Sequence, residues 1–273
     1  MQTAEASMEY YVHDLNPIAF SIGDLVLPWY WLVYVAGFFF IYSYGRRLAR
    51  SQNLILSKND WIDYMVWGWL GLLLGGRLFY ALVYNLEYFV SHPAEIYQLW
   101  KGGMSFHGGL LGVLLTIYIL SRRKKQDFFL PMDLVASSIP FVLGFGRIAN
   151  FINGELAGRV ASIPWAVVFP KYYDQLPRHP SQLYQSATEG FLLFVILRWQ
   201  RHRLSNSGTI SCFFLIGYGS FRFVTEFFRN PDPQVGFLLG FLTMGQLLCL
   251  VMILIGFALL RFRQTYSSTS ESV

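Results

Sequence analysis

The segment YGSFRFVTEFFR places ionisable residues inside an otherwise apolar part of the chain. Tyr218, Arg222 and Glu226 are spaced i, i+4 and i+8, so a helix would carry them on one face. Ionisable side chains within apolar helices usually face the protein interior or a water-filled cavity, where they bind ligands or take part in catalysis. Mutual neutralisation of Arg222 and Glu226 is the simpler alternative, and the spacing is compatible with both.

A second polar stretch, GFGRIANFINGELAGR, lies at the end of another apolar segment. In a helix Arg147 and Asn150 are i and i+3 and point the same way. A guanidinium at this position can hold a phosphate through two parallel hydrogen bonds. Gly154 and Gly158 permit close approach of backbones. A helix end held by its asparagine side chains is the alternative.

His107 stands among glycines in GGMSFHGGLLG. A neutral imidazole can accept a proton in catalysis, but an isolated histidine also serves as a structural hydrogen-bonding group, and both interpretations stay open. Gly108 and Gly112 have the GxxxG spacing typical of helix packing. Arg77, which follows GLLLGG, is equally compatible with a structural ion pair and with a ligand contact.

The composition indicates that lipid surrounds much of the chain. Of the 273 residues 54% are apolar and 18% aromatic, and 14% are charged, against about 25% charged residues in soluble domains. Cys212 and Cys249 stand in apolar runs without a CxxC motif, and no His, Asp and Glu set has the spacing of metal ligands. The sequence therefore predicts neither a disulfide framework, nor a metal site, nor a cofactor.

Seven apolar segments approach or exceed the roughly 20 residues that a membrane span requires. They cover 25–44, 61–84, 103–120, 128–147, 181–198, 209–227 and 235–260. The hydrophilic stretches between them are too short to form domains. We therefore predict an all-α polytopic membrane protein, a single transmembrane domain over residues 1–273.

The loop charges predict its orientation, because cytoplasmic loops carry an excess of Lys and Arg. Numbered from the N-terminus, the odd loops hold five basic residues and the even loops hold thirteen. This bias predicts that the N-terminus lies outside and the C-terminus in the cytoplasm. Termini on opposite sides require an odd number of spans, and seven is odd.

The same topology predicts the depth of the polar residues. At 1.5 Å per residue, Arg77 and Arg147 lie about 24 Å, and Arg222 about 20 Å, from the cytoplasmic ends of their spans. His107 and Tyr30 lie close to the outer ends of theirs. All five side chains are thus expected in the outer half of a ~30 Å hydrocarbon core.

Five sequence blocks together resemble the prolipoprotein diacylglyceryl transferase family of the bacterial inner membrane. They are GGMSFHGGL, GRIANFINGE, PRHPSQLY, IGYGSFRFVTEFFR and MGQ, which occur in this order between about residues 29 and 246. GRIANFINGE is the most specific of them. The chain departs from the family's usual pattern at Pro28, where His is frequent, and at Gln185, where Glu is frequent.

The resemblance implies transfer of the diacylglyceryl group of phosphatidylglycerol to the lipobox cysteine thiol of an exported prolipoprotein, with glycerol phosphate released. The resemblance implies no nucleic-acid partner. It also implies that Arg147 and Arg222 engage the lipid headgroup. The expected catalytic residues are Tyr30, His107, Arg147, Arg222 and Glu226. The expected substrate-binding residues are Arg147, Asn150, Glu155, Gly158, Tyr218 and Arg222.

The residues fit this chemistry without the resemblance. A thiol with a pKa near 8.5 is mostly neutral at pH 7, so it needs a proton acceptor, and arginines can stabilise a departing phosphate. Two other functions use the same residues. A transporter of anionic lipids would bind them through the arginines, although the chain lacks the internal repeat of many transporters. A non-catalytic assembly factor would use the charges to pair helices.

Overall fold

Helices form the framework of the chain in the computed structural model, which describes residues 9–23, 25–99, 102–171, 173–201, 207–230, 237–238 and 242–270. The helices are α1 (Trp29–Ser51), α2 (Lys58–Phe79), α3 (Leu86–Ser91), α4 (Phe106–Lys124), α5 (Phe129–Asn153), α6 (Ser181–Gln185), α7 (Leu193–Arg201), α8 (Thr209–Thr225) and α9 (Met244–Ser270). A π-helical turn, Tyr80–Tyr84, continues α2, and a π-helical segment, Ser186–Leu192, joins α6 to α7. Lys101, Arg203 and the start of the seventh predicted span lie outside the described residues.

Three helical stretches among the described residues are long and apolar enough to cross a membrane, namely Lys58–Tyr84, Phe129–Asn153 and Met244–Arg263. The helix Thr209–Thr225 is apolar but shorter. These findings confirm a mostly helical protein with membrane-spanning character. The count of seven spans and the orientation stay predictions.

Short strands correct the all-α prediction. They are β1 (Tyr11–Val12), β2 (Ile18–Ile22), β3 (Leu25–Pro28), β4 (Val167–Val168), β5 (Pro177–Arg178), β6 (Phe237–Leu238) and β7 (Leu242–Thr243). β2 and β3 form an antiparallel hairpin, and β4 pairs with β1 in parallel and with β5 antiparallel. Strands of two residues are too short to show an alternation of polar and apolar side chains, so the sequence does not reveal them. The strand β3 is apolar and falls within the first predicted span, which becomes helical only at Trp29.

The chain forms two compact units. Unit 1 comprises the described parts of Met1–Ile41 and Ala136–Val273, and unit 2 comprises Tyr42–Val135 without its undescribed residues. In unit 1 the buried side chains of Ala157, Val167 and Phe169 form an apolar cluster beside the β1–β4–β5 sheet.

Unit 2 is built on close packing of α2 against α4. A Cβ atom on Gly75 would clash with the Gly108 backbone, and one on Gly112 would clash with the backbone of Gly71. Each helix thus presents two glycines, spaced i and i+4, to the other. The predicted packing role of Gly108 and Gly112 is confirmed, because only glycine permits this distance between the helix backbones.

Arg77 organises the loop after α3. Its guanidinium is buried and donates hydrogen bonds to backbone carbonyls of the loop. The acceptors are the carbonyl oxygens of Glu95, Ile96, Gln98, Gly102 and Gly103. The guanidinium also lies 5.1 Å from the ring centroid of Phe89. These contacts are structural, but they are made with carbonyls rather than with the carboxylate that an ion pair requires.

Candidate active site

Three helical segments of unit 1 bring four charged side chains together. α5 carries Arg147, the π-helical segment carries Glu189, α8 carries Arg222, and Glu226 is the C-cap residue of α8. We call these four residues the charge cluster. A π-helical turn inserts an extra residue into a helix and is frequent at functional sites.

Glu189 lies between the two arginines. Its Oε2 is 3.9 Å from Nη2 of Arg147, and its Oε1 is 3.8 Å from Nη1 of Arg222. Nη2 of Arg222 is 2.7 Å from Oε2 of Glu226. The prediction that Arg222 and Glu226 share one helix face is confirmed. Neutralisation of Arg222 by Glu226 does not account for all of its contacts, because Arg222 also lies near Glu189.

The charge cluster is poorly explained by stability alone. The side chains of Glu189 and Glu226 are 1% and 3% exposed, whereas those of Arg147 and Arg222 are 22% and 13% exposed. Removing ions from water costs several kcal/mol per ion. Within the charge cluster Arg222 and Glu226 are in close contact at 2.7 Å, whereas Glu189 stays near 4 Å from both arginines and recovers less of that cost. The guanidiniums are the more exposed members of the charge cluster, and binding of an anion by them stays a prediction.

Buried amides hold the Arg147 side of the charge cluster. Nη1 of Arg147 donates to Oδ1 of Asn150 at 3.5 Å, and Nδ2 of Asn150 donates to Oε1 of Glu155 at 2.8 Å. The same carboxylate oxygen accepts from Nδ2 of Asn153 at 3.2 Å. Nε2 of Gln182 donates to the Glu155 carbonyl at 2.6 Å. The predicted alignment of Arg147 and Asn150 is confirmed, and Glu155 acts on Arg147 through Asn150.

Hydroxyl groups hold the carboxylates of the charge cluster. Oγ1 of Thr225 donates to Oε1 of Glu189 at 2.5 Å. Oγ1 of Thr243, immediately before α9, is 3.3 Å from Oε1 of Glu226. Arg229 adds a contact of 3.5 Å to the same oxygen. Each carboxylate therefore has a partner besides the arginines.

The two tyrosines predicted for the site lie in unit 1. Tyr218 lies within electrostatic range of Arg147, Glu189 and Arg222. The Tyr30 hydroxyl is 2.9 Å from that of Tyr34, which lies within electrostatic range of Arg147. Tyr218 thus borders the charge cluster, and Tyr30 is connected to it through Tyr34.

Gly158 has a close-packed backbone. Its N–H donates to the His179 carbonyl at 2.9 Å, and its carbonyl accepts from Nη1 of Arg178 at 3.2 Å. A Cβ atom here would lie 2.7 Å from the His179 carbonyl oxygen. These contacts explain why glycine is required, and substrate binding by Gly158 stays a prediction. Burial lowers the pKa of His179, which favours the neutral imidazole beside this glycine.

His107 belongs to unit 2. It is the second residue of α4, its side chain is exposed, and its ring lies 5.8 Å from that of Phe106. Ser105 caps this helix by accepting a hydrogen bond from the Gly108 N–H at 3.2 Å. An accessible imidazole agrees with a role in proton transfer, which stays a prediction.

Sequence patterns alone assigned no role to Glu189. The signal for Glu189 was present, since a single acid in an apolar span indicates function by default. Its partners lie on other helices, so no spacing rule identifies them. Within the described part of the chain, no group of three His, Cys, Asp or Glu side chains is arranged to hold a metal ion.

Comparison with known proteins identifies the family of the chain. The family model described as prolipoprotein diacylglyceryl transferase matches residues 17–262. A Bordetella avium protein named phosphatidylglycerol–prolipoprotein diacylglyceryl transferase is 49% identical, over 90% of this chain and 94% of its own length. Proteins of the same name from Coxiella burnetii and Vibrio cholerae are 47% and 45% identical, over 91% and 89% of this chain and 95% and 89% of their own lengths. The chain therefore belongs to the prolipoprotein diacylglyceryl transferase family.

Proposed function

We propose that this protein transfers the diacylglyceryl group of phosphatidylglycerol to the lipobox cysteine of exported prolipoproteins, the first step of lipoprotein maturation. The observation that carries the proposal is the pair of partly exposed arginines on either side of Glu189. Relatives that share about half of its residues are named for this reaction.

The reaction makes one carbon–sulfur bond and breaks one carbon–oxygen bond. The cysteine sulfur attacks the glyceryl carbon that bears the phosphate, and glycerol phosphate leaves with the bonding electrons. The thiol proton passes to a base, since the thiolate is the effective nucleophile. Negative charge grows on the departing phosphate, and preorganised donors stabilise that charge most effectively in a site that excludes water.

The charge cluster suits the phosphate in this step. Arg147 and Arg222 present planar donor groups that match phosphate oxygens. Glu189 sits between them and prevents the two guanidiniums from repelling each other in the resting enzyme. Asn150 and Glu155 orient Arg147, while Tyr218 and Glu226 border the two arginines. We propose His107 as the base that accepts the thiol proton and Tyr30 as a further catalytic residue.

Covalent transfer separates this proposal from a transporter of anionic lipids and from an assembly factor. Purified protein, incubated with phosphatidylglycerol and a lipobox peptide, is expected to add one diacylglyceryl group to the peptide, detected by mass spectrometry. The matched peptide with serine in place of cysteine is expected to stay unmodified, because a hydroxyl is a far weaker nucleophile at neutral pH. An unmodified cysteine peptide, with protein that still binds the lipid, would contradict the enzyme assignment.

We further propose seven spans in the bacterial inner membrane, forming a single transmembrane domain with the N-terminus outside. The excess of basic residues in the even loops supports this orientation, which places the charge cluster in the outer half of the bilayer, where exported precursors emerge. A reporter fused after Arg263 is expected in the cytoplasm, and one inserted at Pro170 is expected outside. The opposite labelling would place the site in the wrong leaflet.

A further inference from the structure

The block PRHPSQLY packs against the turn that follows α5. We call this turn, residues 154–159, the Glu155 loop. Several of its backbone carbonyls accept hydrogen bonds from the block, namely those of Glu155, Leu156, Gly158 and Arg159. Two of the donors are side chains at the start of α6. Nε2 of Gln182 donates to the Glu155 carbonyl at 2.6 Å. Oγ of Ser181 donates to the Leu156 carbonyl at 3.0 Å.

Leu156 has an unusual backbone conformation. Its φ is +59°, in the left-handed region, which residues with a Cβ atom rarely adopt. Gly154 also has a positive φ, of +77°, but glycine populates this region readily. A leucine stays in this conformation only when its surroundings determine it, and such residues are frequent at functional sites.

Ser181 and Gln182 determine the conformation of Leu156. The Glu155 and Leu156 carbonyls belong to the two peptide units on either side of the Leu156 Cα atom. Hydrogen bonds to both carbonyls therefore fix the φ and ψ of this residue. The side chains of Ser181 and Gln182 are 0% exposed, so water does not compete for the two donors.

Gln182 is poorly explained by stability alone. Its Oε1 is buried and has no hydrogen-bond partner among the described residues. A buried amide that is only partly satisfied costs free energy, which an apolar side chain of similar size would avoid. The contribution of this amide is therefore its donor to the Glu155 carbonyl.

The conformation of the Glu155 loop determines where the Glu155 carboxylate lies. Oε1 of this carboxylate accepts from Nδ2 of Asn150 at 2.8 Å, and Oδ1 of Asn150 accepts from Arg147 at 3.5 Å. A carboxylate only accepts hydrogen bonds, so it binds the amide nitrogen of Asn150 and turns the amide oxygen towards the guanidinium.

We propose that Ser181 and Gln182 are positioning residues for Arg147. They hold Leu156 in the left-handed conformation, and the Glu155 loop then directs its carboxylate at Asn150, which orients the guanidinium. The inference rests on the proposed function, because the orientation of Arg147 affects turnover only when this guanidinium stabilises the departing phosphate.

Ser181→Ala and Gln182→Met are each expected to lower kcat for peptide lipidation about 10-fold to 100-fold, the effect of a small misplacement of a catalytic group. The thermal stability of Gln182→Met should stay close to that of the wild type, because methionine fills a similar volume without an unpaired oxygen. Wild-type kcat in both variants would overturn the inference.

A double-mutant cycle with Arg147 distinguishes positioning from a loss of folded enzyme. If Gln182 acts through Arg147, Gln182→Met should change the rate of the Arg147→Ala enzyme by less than about 2-fold, because the group to be positioned is already absent. A loss of folded enzyme would instead lower both rates by the same factor. That multiplicative result would show that Gln182 does not act through Arg147.

Leu156 provides a test by rescue. Glycine adopts the left-handed conformation readily, so Leu156→Gly should reduce the loss caused by Ser181→Ala to about 3-fold or less. Leu156→Ala is the matched control, because it shortens the side chain but retains the penalty at positive φ, and it should give no rescue. Equal rescue by alanine and glycine would contradict the role of Ser181 in holding this conformation.

Matched substitutions outside the Glu155 loop control for the loss of a side-chain donor. Oγ of Ser51 donates to the Leu48 carbonyl at 3.0 Å, and Nε2 of Gln98 donates to the Ala94 carbonyl at 3.4 Å. Ser51→Ala and Gln98→Met should leave kcat unchanged. A loss of kcat in these controls as large as that in the Ser181 and Gln182 variants would contradict a specific role of the latter.

Hydrogen exchange separates this inference from the proposed function. Ser181→Ala and Gln182→Met should each speed exchange of the backbone amides of the Glu155 loop, whatever reaction the protein catalyses, and the two control variants should not. Unchanged exchange would overturn the inference. Failure of the phosphate assignment is seen separately, as an Arg147→Ala enzyme that retains full activity.

Discussion

Replacing Arg147 or Arg222 by alanine is expected to lower the turnover of phosphatidylglycerol by roughly 10²–10³-fold, the effect of removing one preorganised donor to a developing charge. The loss should appear in kcat as well as in kcat/KM, because charge accumulates on the phosphate as the carbon–oxygen bond breaks. Arg147→Lys and Arg222→Lys should recover only part of the activity, since an ammonium group lacks the planar fork of donors.

Peptide lipidation at saturating phosphatidylglycerol measures this effect, with elution from size exclusion and thermal stability as the tests of folding. Arg123→Ala is the matched control, because Arg123 is exposed in the last turn of α4 and should leave the rate unchanged. If both alanine variants at the charge cluster are folded and transfer lipid at the wild-type rate, the phosphate is bound elsewhere.

The local part of this site could be predicted from the sequence. Arg222 and Glu226 were placed on one helix face by their spacing, and the structure joins them at 2.7 Å. Arg147 and Asn150 were aligned by the same rule, and their side chains meet at 3.5 Å. Helical periodicity relates residues three or four positions apart, so contacts between such residues can be predicted from the sequence.

The contacts between helices could not be predicted in this way. Glu189 meets Arg147 on α5 and Arg222 on α8, and no rule of spacing relates residues on three separate segments. The π-helical segment that carries Glu189 also has no recognisable signature in SATEGFL. Tertiary packing therefore determined the residue that connects the two arginines.

Arg77 illustrates a second limit. Its type and its depth in an apolar span predicted either an ion pair or a ligand contact, but its buried guanidinium donates to loop carbonyls. Every residue has a backbone carbonyl, so residue types do not show which carbonyls will accept hydrogen bonds from an arginine. A loop that surrounds an arginine therefore cannot be predicted from sequence patterns. The packing role of Gly108 and Gly112 could be predicted from the sequence, because GxxxG spacing is typical of closely packed helices.

His107→Gln is expected to lower turnover by about 10²–10⁴-fold at neutral pH, the usual contribution of a general base. Glutamine keeps a hydrogen-bonding group of similar reach but cannot take up the thiol proton. Removal of a general base should also alter the pH dependence of turnover.

Raising the pH provides the decisive comparison for His107. Above the pKa of the peptide thiol, near 8.5, the nucleophile is already a thiolate, and His107→Gln should recover much of its lost rate while Arg222→Ala should not. His107 lies exposed at the start of α4, so its replacement leaves the packed core intact. If His107→Gln keeps most of its activity with the wild-type pH profile, His107 only orients a substrate, and the proton leaves through Glu226, through water or with the departing phosphate.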